Sequence, residues 1–295
     1  MNSFSSIHSL QLGTFRFVSP VGTSDCPVKW EGRQKRKPWD YEVTVAIPHL
    51  NTFDDLVLCI ELLRAQSVSP YIMIVDTGSQ PDIIRDLEAL RGEDVEIHYI
   101  QANAYRHSSE PVTVALDLAQ SLCRTKLLFH THSDCFLRRR DLLETWARIT
   151  NVNTPVVGYR MSPRDWVTRE WEWMVGHTAL MLYMPSIHRA GATWSYQRVH
   201  YGYGYPWMLA SGWPDTEVAF NRALRDAGIA PVFMGHDLNG TRQINDDFDH
   251  CRSFPGSMIY GPEYHSQCKK WMEEAMSDGK DRLLSWKQQK QGLTT

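Results

Sequence analysis

The period of the apolar positions changes along the chain, and those changes mark out the elements. Val43 to Pro48 ("VTVAIP") is a short β-branched run that predicts a buried strand, whereas Phe53 to Gln66 ("FDDLVLCIELLRAQ") carries apolar residues at helical spacing. "YIMIVD" predicts a second strand ending at Asp76, and "PDIIRDLEALRG" a helix that opens on proline and stops at glycine. A third strand, "VEIHYI", precedes "SSEPVTVALDLAQSLC", whose serines, acid and proline suit a helix start, and "KLLFH" is a fourth strand ending at His130. This alternation predicts an α/β fold with a mainly parallel sheet and helices on both faces. Such sheets bind ligands at the carboxyl ends of their strands, which makes Asp76, His132 and Asp134 candidates by position.

Beyond Leu143 the pattern is less regular and rich in tryptophan. "HYGYGYPW" (His200 to Trp207) alternates glycine with tyrosine and reads as an aromatic loop suited to a lid or an acceptor platform. "PDTEVAFNRALRDAG" (Pro214 to Gly228) predicts a helix with acids in its first turn and glycine at its end, and "APVFMGHD" a last strand ending at His236. Residues 1–40 lack a period and end in the basic stretch "EGRQKRKP", so they are expected to form an N-terminal arm. Residues 41–260 then form the main domain, and 261–295 a helical tail interrupted at Asp278-Gly279.

Composition narrows the function. The chain has 295 residues and a formal net charge of -3, which excludes general attraction to polyanions. Its six cysteines form no CxxC pair, as expected for a reducing compartment. No stretch approaches the roughly 20 apolar residues needed to cross a bilayer, so a cytoplasmic protein without a transmembrane segment is expected.

Two short motifs admit more than one chemistry. "HTHSDC" offers His130, His132 and Asp134 as zinc-type ligands and resembles the HxHxDH signature of metallo-β-lactamase-fold hydrolases, with Cys135 where that family has histidine. "IVDTGS" (Ile74 to Ser79) copies the aspartic-protease loop, but no second DTG exists and a helix follows at once.

Taken together, the motifs resemble the family-2 glycosyltransferases of the GT-A fold, a Rossmann-like nucleotide-diphospho-sugar transferase fold, from about Val43 to Asp237. The resemblance rests on "VAIPHLN", on "IVDTGS", on "HSD" (His132 to Asp134) in the place of the metal-binding Asp-x-Asp, and on "PDTEVAFNRALRDAG" in the place of the Glu-Asp helix. It implies an inverting transfer of a sugar from a nucleotide-diphosphate donor, a UDP-sugar foremost, to an acceptor hydroxyl, assisted by Mn²⁺ or Mg²⁺. Pro48, Asn51, Asp76, Ser79, His132 and Asp134 would contact the donor. Asp134, His132 and His236 would hold the metal, and Asp215 would be the general base. Glu217, Trp173 and His177 would face the acceptor, whether a glycan, a lipid-linked sugar, a protein or a modified nucleobase. His132 replaces an acid of the family pattern and Pro214 its glutamate. A catalytically silent nucleotide- or glycan-binding module is therefore the alternative implication. A nucleotidyltransferase is disfavoured, because "PHLNTFDD" lacks the glycine-rich basic loop such enzymes carry.

Overall fold

The first strand of the main domain shows how the sheet is built. In β2 (Val43–His49), Val43, Val45 and Ile47 enter one apolar cluster and Ala46 enters another, because successive side chains point to opposite faces. Both faces are therefore covered, as expected from the continuous apolar runs. The computed structural model describes residues 15–17, 41–102, 110–160, 174–194, 216–236, 242–251 and 262–292.

Around β2 the described elements are β1 (Phe15–Phe17), α1 (Phe53–Arg64), β3 (Tyr71–Asp76), α2 (Pro81–Glu88), β4 (Val95–Ala102), α3 (Glu110–Leu122), β5 (Leu127–His130), β6 (Cys135–Leu137) and α4 (Leu142–Ile149). There follow β7 (Val156–Arg160), β8 (Leu180–Tyr183), α5 (Met184–Ala190), α6 (Thr216–Asp226), β9 (Val232–His236), β10 (Arg242–Ile244), β11 (Phe248–Cys251) and α7 (Pro262–Gly292). The main sheet runs β1-β4-β3-β2-β5-β8-β7-β9, and a second, three-stranded sheet runs β10-β11-β6. β4, β3, β2 and β5 are mutually parallel, β7 and β9 are parallel, and β8 is antiparallel to both its neighbours. One face packs against α1, α2, α4 and α7, the other against α3, α5 and α6.

Three features depart from the sequence reading. β1, inside the expected arm, pairs antiparallel with β4 and forms the edge of the sheet. β8 lies in an apolar stretch without alternation and inserts between β5 and β7, where both faces are buried. The tail helix continues through Asp278-Gly279. A Cβ on Gly279 would stand 3.0 Å from Leu58 Cδ2, so glycine here serves close approach of α7 to α1 and does not end the helix. α7 buries Cys268, Met272, Ala275 and Trp286, and among the described residues no helix is long and apolar enough to cross a membrane.

Candidate functional site

β2 and β3 end side by side, with His49 in register with Asp76. His49 Nδ1 lies 2.9 Å from Asp76 Oδ2, and His49 Nε2 accepts the Thr52 N–H at 3.3 Å. A nitrogen that accepts cannot carry the proton, so His49 is the neutral Nδ1–H tautomer and donates to Asp76. The Ser79 hydroxyl donates to the same oxygen at 2.5 Å, and the amides of Gly78 and Ser79 donate to Oδ1 at 3.0 Å each. Burial alone would raise the Asp76 carboxyl. The hydrogen bonds from His49, Ser79 and Gly78 outweigh it and hold the group below its ordinary value. Gly78 takes φ 113°, a conformation closed to most side chains, and Asn51 takes φ 56°. Asn51 donates its N–H to Ser79 Oγ and accepts the Gln80 N–H, both at 2.8 Å. Asn51, Asp76 and Ser79 thus form one hydrogen-bonded loop pair next to Pro48, with Asp76 as its organising acceptor.

The opening between β5 and β6 carries the second group. β5 stops at His130, so His132 and Asp134 stand in the following turn, and the rule of alternating strand faces does not place them with His130. Ser133 Oγ meets Thr52 Oγ1 at 2.7 Å and ties this turn to the first loop. The Asp134 carbonyl accepts the Cys251 N–H at 3.2 Å, which seats β11 beside the turn. His250 of β11 is thereby brought to the carboxylate, with Nε2 3.4 Å from Asp134 Oδ1, while His132 Nδ1 lies 3.9 Å from the same oxygen.

One ligand atom from each of His132, Asp134 and His250 fits within a 4.8 Å group. Ligands about 2.1 Å from a divalent ion lie roughly 3.0–4.2 Å apart, a range that holds both histidine-to-carboxylate separations, 3.4 and 3.9 Å. His250 is buried, and neither ring nitrogen has a hydrogen-bond partner among the described residues, which is the condition of an available ligand. The carboxyl of Asp55, on α1, is pushed up to about 7 by burial first and then by Asp134 and Asp54. Asp55 and Asp134 thus bring two carboxyl groups close together in this buried corner.

His250 was not anticipated from the sequence. Its signal is faint, a histidine in the short buried strand "FDHC", and only the pairing of β11 with β6 brings it to Asp134. His236 ends β9 on its exposed side and is not part of the group. Nor is His130, whose ring sits edge-on to Trp194 at 5.6 Å and whose pKa burial lowers to about 3.

His177 lies beyond His132, with ring centroids 4.6 Å apart, and its Nδ1 pairs with Glu217 in the first turn of α6. Glu217 is buried, and Asn221, one turn on, clamps the Val175 backbone by accepting its N–H and donating to its carbonyl, both at 2.8 Å. His177 thus stands beside His132, with Glu217 behind it. Trp173 and Asp215 lie outside the described residues, Asp215 immediately before α6, as does the loop His200 to Trp207.

No protein-family model matches the chain, and no curated protein does. Among solved structures it is similar to the S. aureus protein TarS, residues 1–349 in complex with UDP-GlcNAc, at 15% identity over 52% of this chain and 48% of that one, with a TM-score of 0.40. It is also similar to the mannosyltransferase PcManGT from Pyrobaculum calidifontis in complex with GDP-Man and Mn²⁺, at 13% identity over 85% of this chain and 77% of that one, with a TM-score of 0.46. The chain spans about half the length of the TarS fragment. The parallel strands β4-β3-β2-β5, the antiparallel β8 beside them and the small sheet next to the His132–Asp134 turn make this an α/β fold built on a mainly parallel sheet.

Proposed function

We propose that the chain is a cation-assisted glycosyltransferase that moves a sugar from a nucleotide-diphosphate donor, a UDP-sugar foremost, to an acceptor hydroxyl with inversion. The observation that carries this reading is the convergence of His132, Asp134 and His250 at the carboxyl edge of the parallel strands. A diphosphate leaving group needs a countercharge, and a divalent cation, Mn²⁺ or Mg²⁺, supplies it there. His132, Asp134 and His250 would hold that cation. The loop built by Asn51, Asp76 and Ser79 presents a fixed wall to the nucleotide, and its internal hydrogen bonds limit the reorganisation needed on binding. Asp215, just ahead of α6, takes the proton from the acceptor hydroxyl as it attacks the anomeric carbon. His177, held by Glu217, would face the acceptor.

Calorimetric titration with UDP, GDP, CDP and dTDP and their sugar conjugates, in Mn²⁺ and then in EDTA, tests the reading. Metal-dependent binding of one nucleotide is expected, and no binding under any condition would sink it. Asp215→Asn is expected to abolish turnover while leaving donor affinity within a few fold, because it removes a base and no phosphate contact. Binding without turnover by the wild type across an acceptor panel would point instead to a silent binding module.

A further inference from the structure

Gln243 has no part in the reading above, yet its surroundings call for a ligand. It lies in β10, directly in register with His250 of β11, so the two side chains emerge on the same face of the small sheet as antiparallel neighbours. Gln243 is 1% exposed and His250 2%. Among the described residues, neither the Oε1 nor the Nε2 of Gln243 has a hydrogen-bond partner, and the same holds for both ring nitrogens of His250. A buried carboxamide with all its hydrogen bonds unmade costs on the order of 1–3 kcal/mol. Two such groups side by side, next to the carboxylate of Asp134, are not explained by packing.

The imidazole chemistry supplies a reason. His250 turns Nε2 toward Asp134, so Nε2 is the atom facing the cation position and Nδ1 is left to carry the proton. A metal-ligating histidine ordinarily donates that second N–H to a carboxylate, a carbonyl or water, which fixes its tautomer and ring orientation. Gln243 is the cross-strand neighbour of His250 and offers a carbonyl oxygen that has no partner among the described residues.

We propose that Gln243 is a positioning residue of the cation site, accepting the Nδ1–H of His250 through Oε1 when Nε2 binds the ion. The inference rests on the cation reading of His132, Asp134 and His250. Gln243 does not touch the ion; it holds the ligand that does, and it supplies an acceptor without adding charge to a corner where Asp55 and Asp134 already crowd each other.

The test is calorimetric titration of the full chain with Mn²⁺ and with Zn²⁺, comparing wild type with His250→Ala, Gln243→Met and Gln243→Glu. Gln243→Met keeps the volume and removes the acceptor, and is expected to weaken both ions about 10–100-fold. Gln243→Glu restores an acceptor and is expected to recover most of the affinity. In EDTA, Gln243→Met is expected to be at least as thermostable as wild type, since it removes an unsatisfied buried amide; a residue with a merely structural role would lose stability instead. Tautomer-sensitive ¹⁵N spectra of the Zn²⁺-loaded wild type provide a readout that needs no variant, and they should show His250 protonated at Nδ1. Equal affinity in wild type and Gln243→Met, or an Nε2–H tautomer, overturns the role of Gln243 while leaving the cation site standing. No cation binding by the wild type overturns the site and this inference with it.

Discussion

At the scale of single residues, the site depends on buried polar atoms whose partners are either complete or missing. Asp76 belongs to the first kind, and its linkage to pH has a definite sign. Its folded pKa lies below the ordinary 3.8, so the folded state binds fewer protons than the unfolded chain in the acid range. The resulting stability is fully present above that value and is lost as pH falls through the folded pKa. The difference in unfolding free energy between wild type and Asp76→Asn is therefore expected to be flat from about pH 8 to 5 and to shrink below about pH 4, as followed by urea denaturation. A difference that stays constant down to about pH 3 would contradict the account. His250 belongs to the second kind. Removing a direct ligand should cost more than about 100-fold in Mn²⁺ affinity in Asp134→Ala and in His250→Ala, while His236→Ala should bind as wild type. With two imidazoles to one carboxylate, the site should also prefer Mn²⁺, Co²⁺ and Zn²⁺ over Mg²⁺ in the nucleotide-free protein, by about tenfold or more in a competition titration.

At the scale of elements, the strands and helices were legible where period, β-branching and punctuation agreed, as in β2, β3, α2 and α6. They were illegible where burial erased the period. β8 reads as a plain apolar run because both its faces are covered, and its neighbours β5 and β7 are far apart from each other in sequence. Gly158 in β7 shows how tightly that insertion is made. A Cβ there would stand 2.5 Å from Val175 Cγ2 and 2.9 Å from Leu180 Cδ1. Gly158→Ala should accordingly destabilise by about 1–3 kcal/mol through overpacking, visible as a lowered denaturation midpoint with an unchanged denaturant slope. Gly279 teaches the opposite lesson to its usual reading. Glycine beside aspartate suggests a helix end, but here the missing side chain lets α7 lie against Leu58 of α1, a requirement set by a partner helix and invisible in local sequence.

At the scale of the whole molecule, α7 belongs to the domain. It places Met272, Ala275 and Trp286 in the core that also holds Leu56, Trp146 and Phe248, and Arg242 ties β10 to it through Glu274 at 2.8 Å while pairing with Asp249 of β11 at 2.7 Å. Deleting residues 261–295 should therefore lower the thermal midpoint and weaken cation binding together, because β11 carries His250. A truncated chain with wild-type Mn²⁺ affinity would contradict this coupling. The sequence by itself determined the alternation of strand and helix, the placement of Asp76, His132 and Asp134 at one edge, and the helix that begins beside Asp215, because periodicity, turn residues and capping act over a few neighbouring positions. Only the tertiary structure decided that His250 and not His236 stands by Asp134, that His130 turns away toward Trp194, and that Gln243 lies against His250. The first of these follows from the pairing of β11 with β6, segments more than a hundred residues apart, and no local pattern encodes which distant strand a histidine will face.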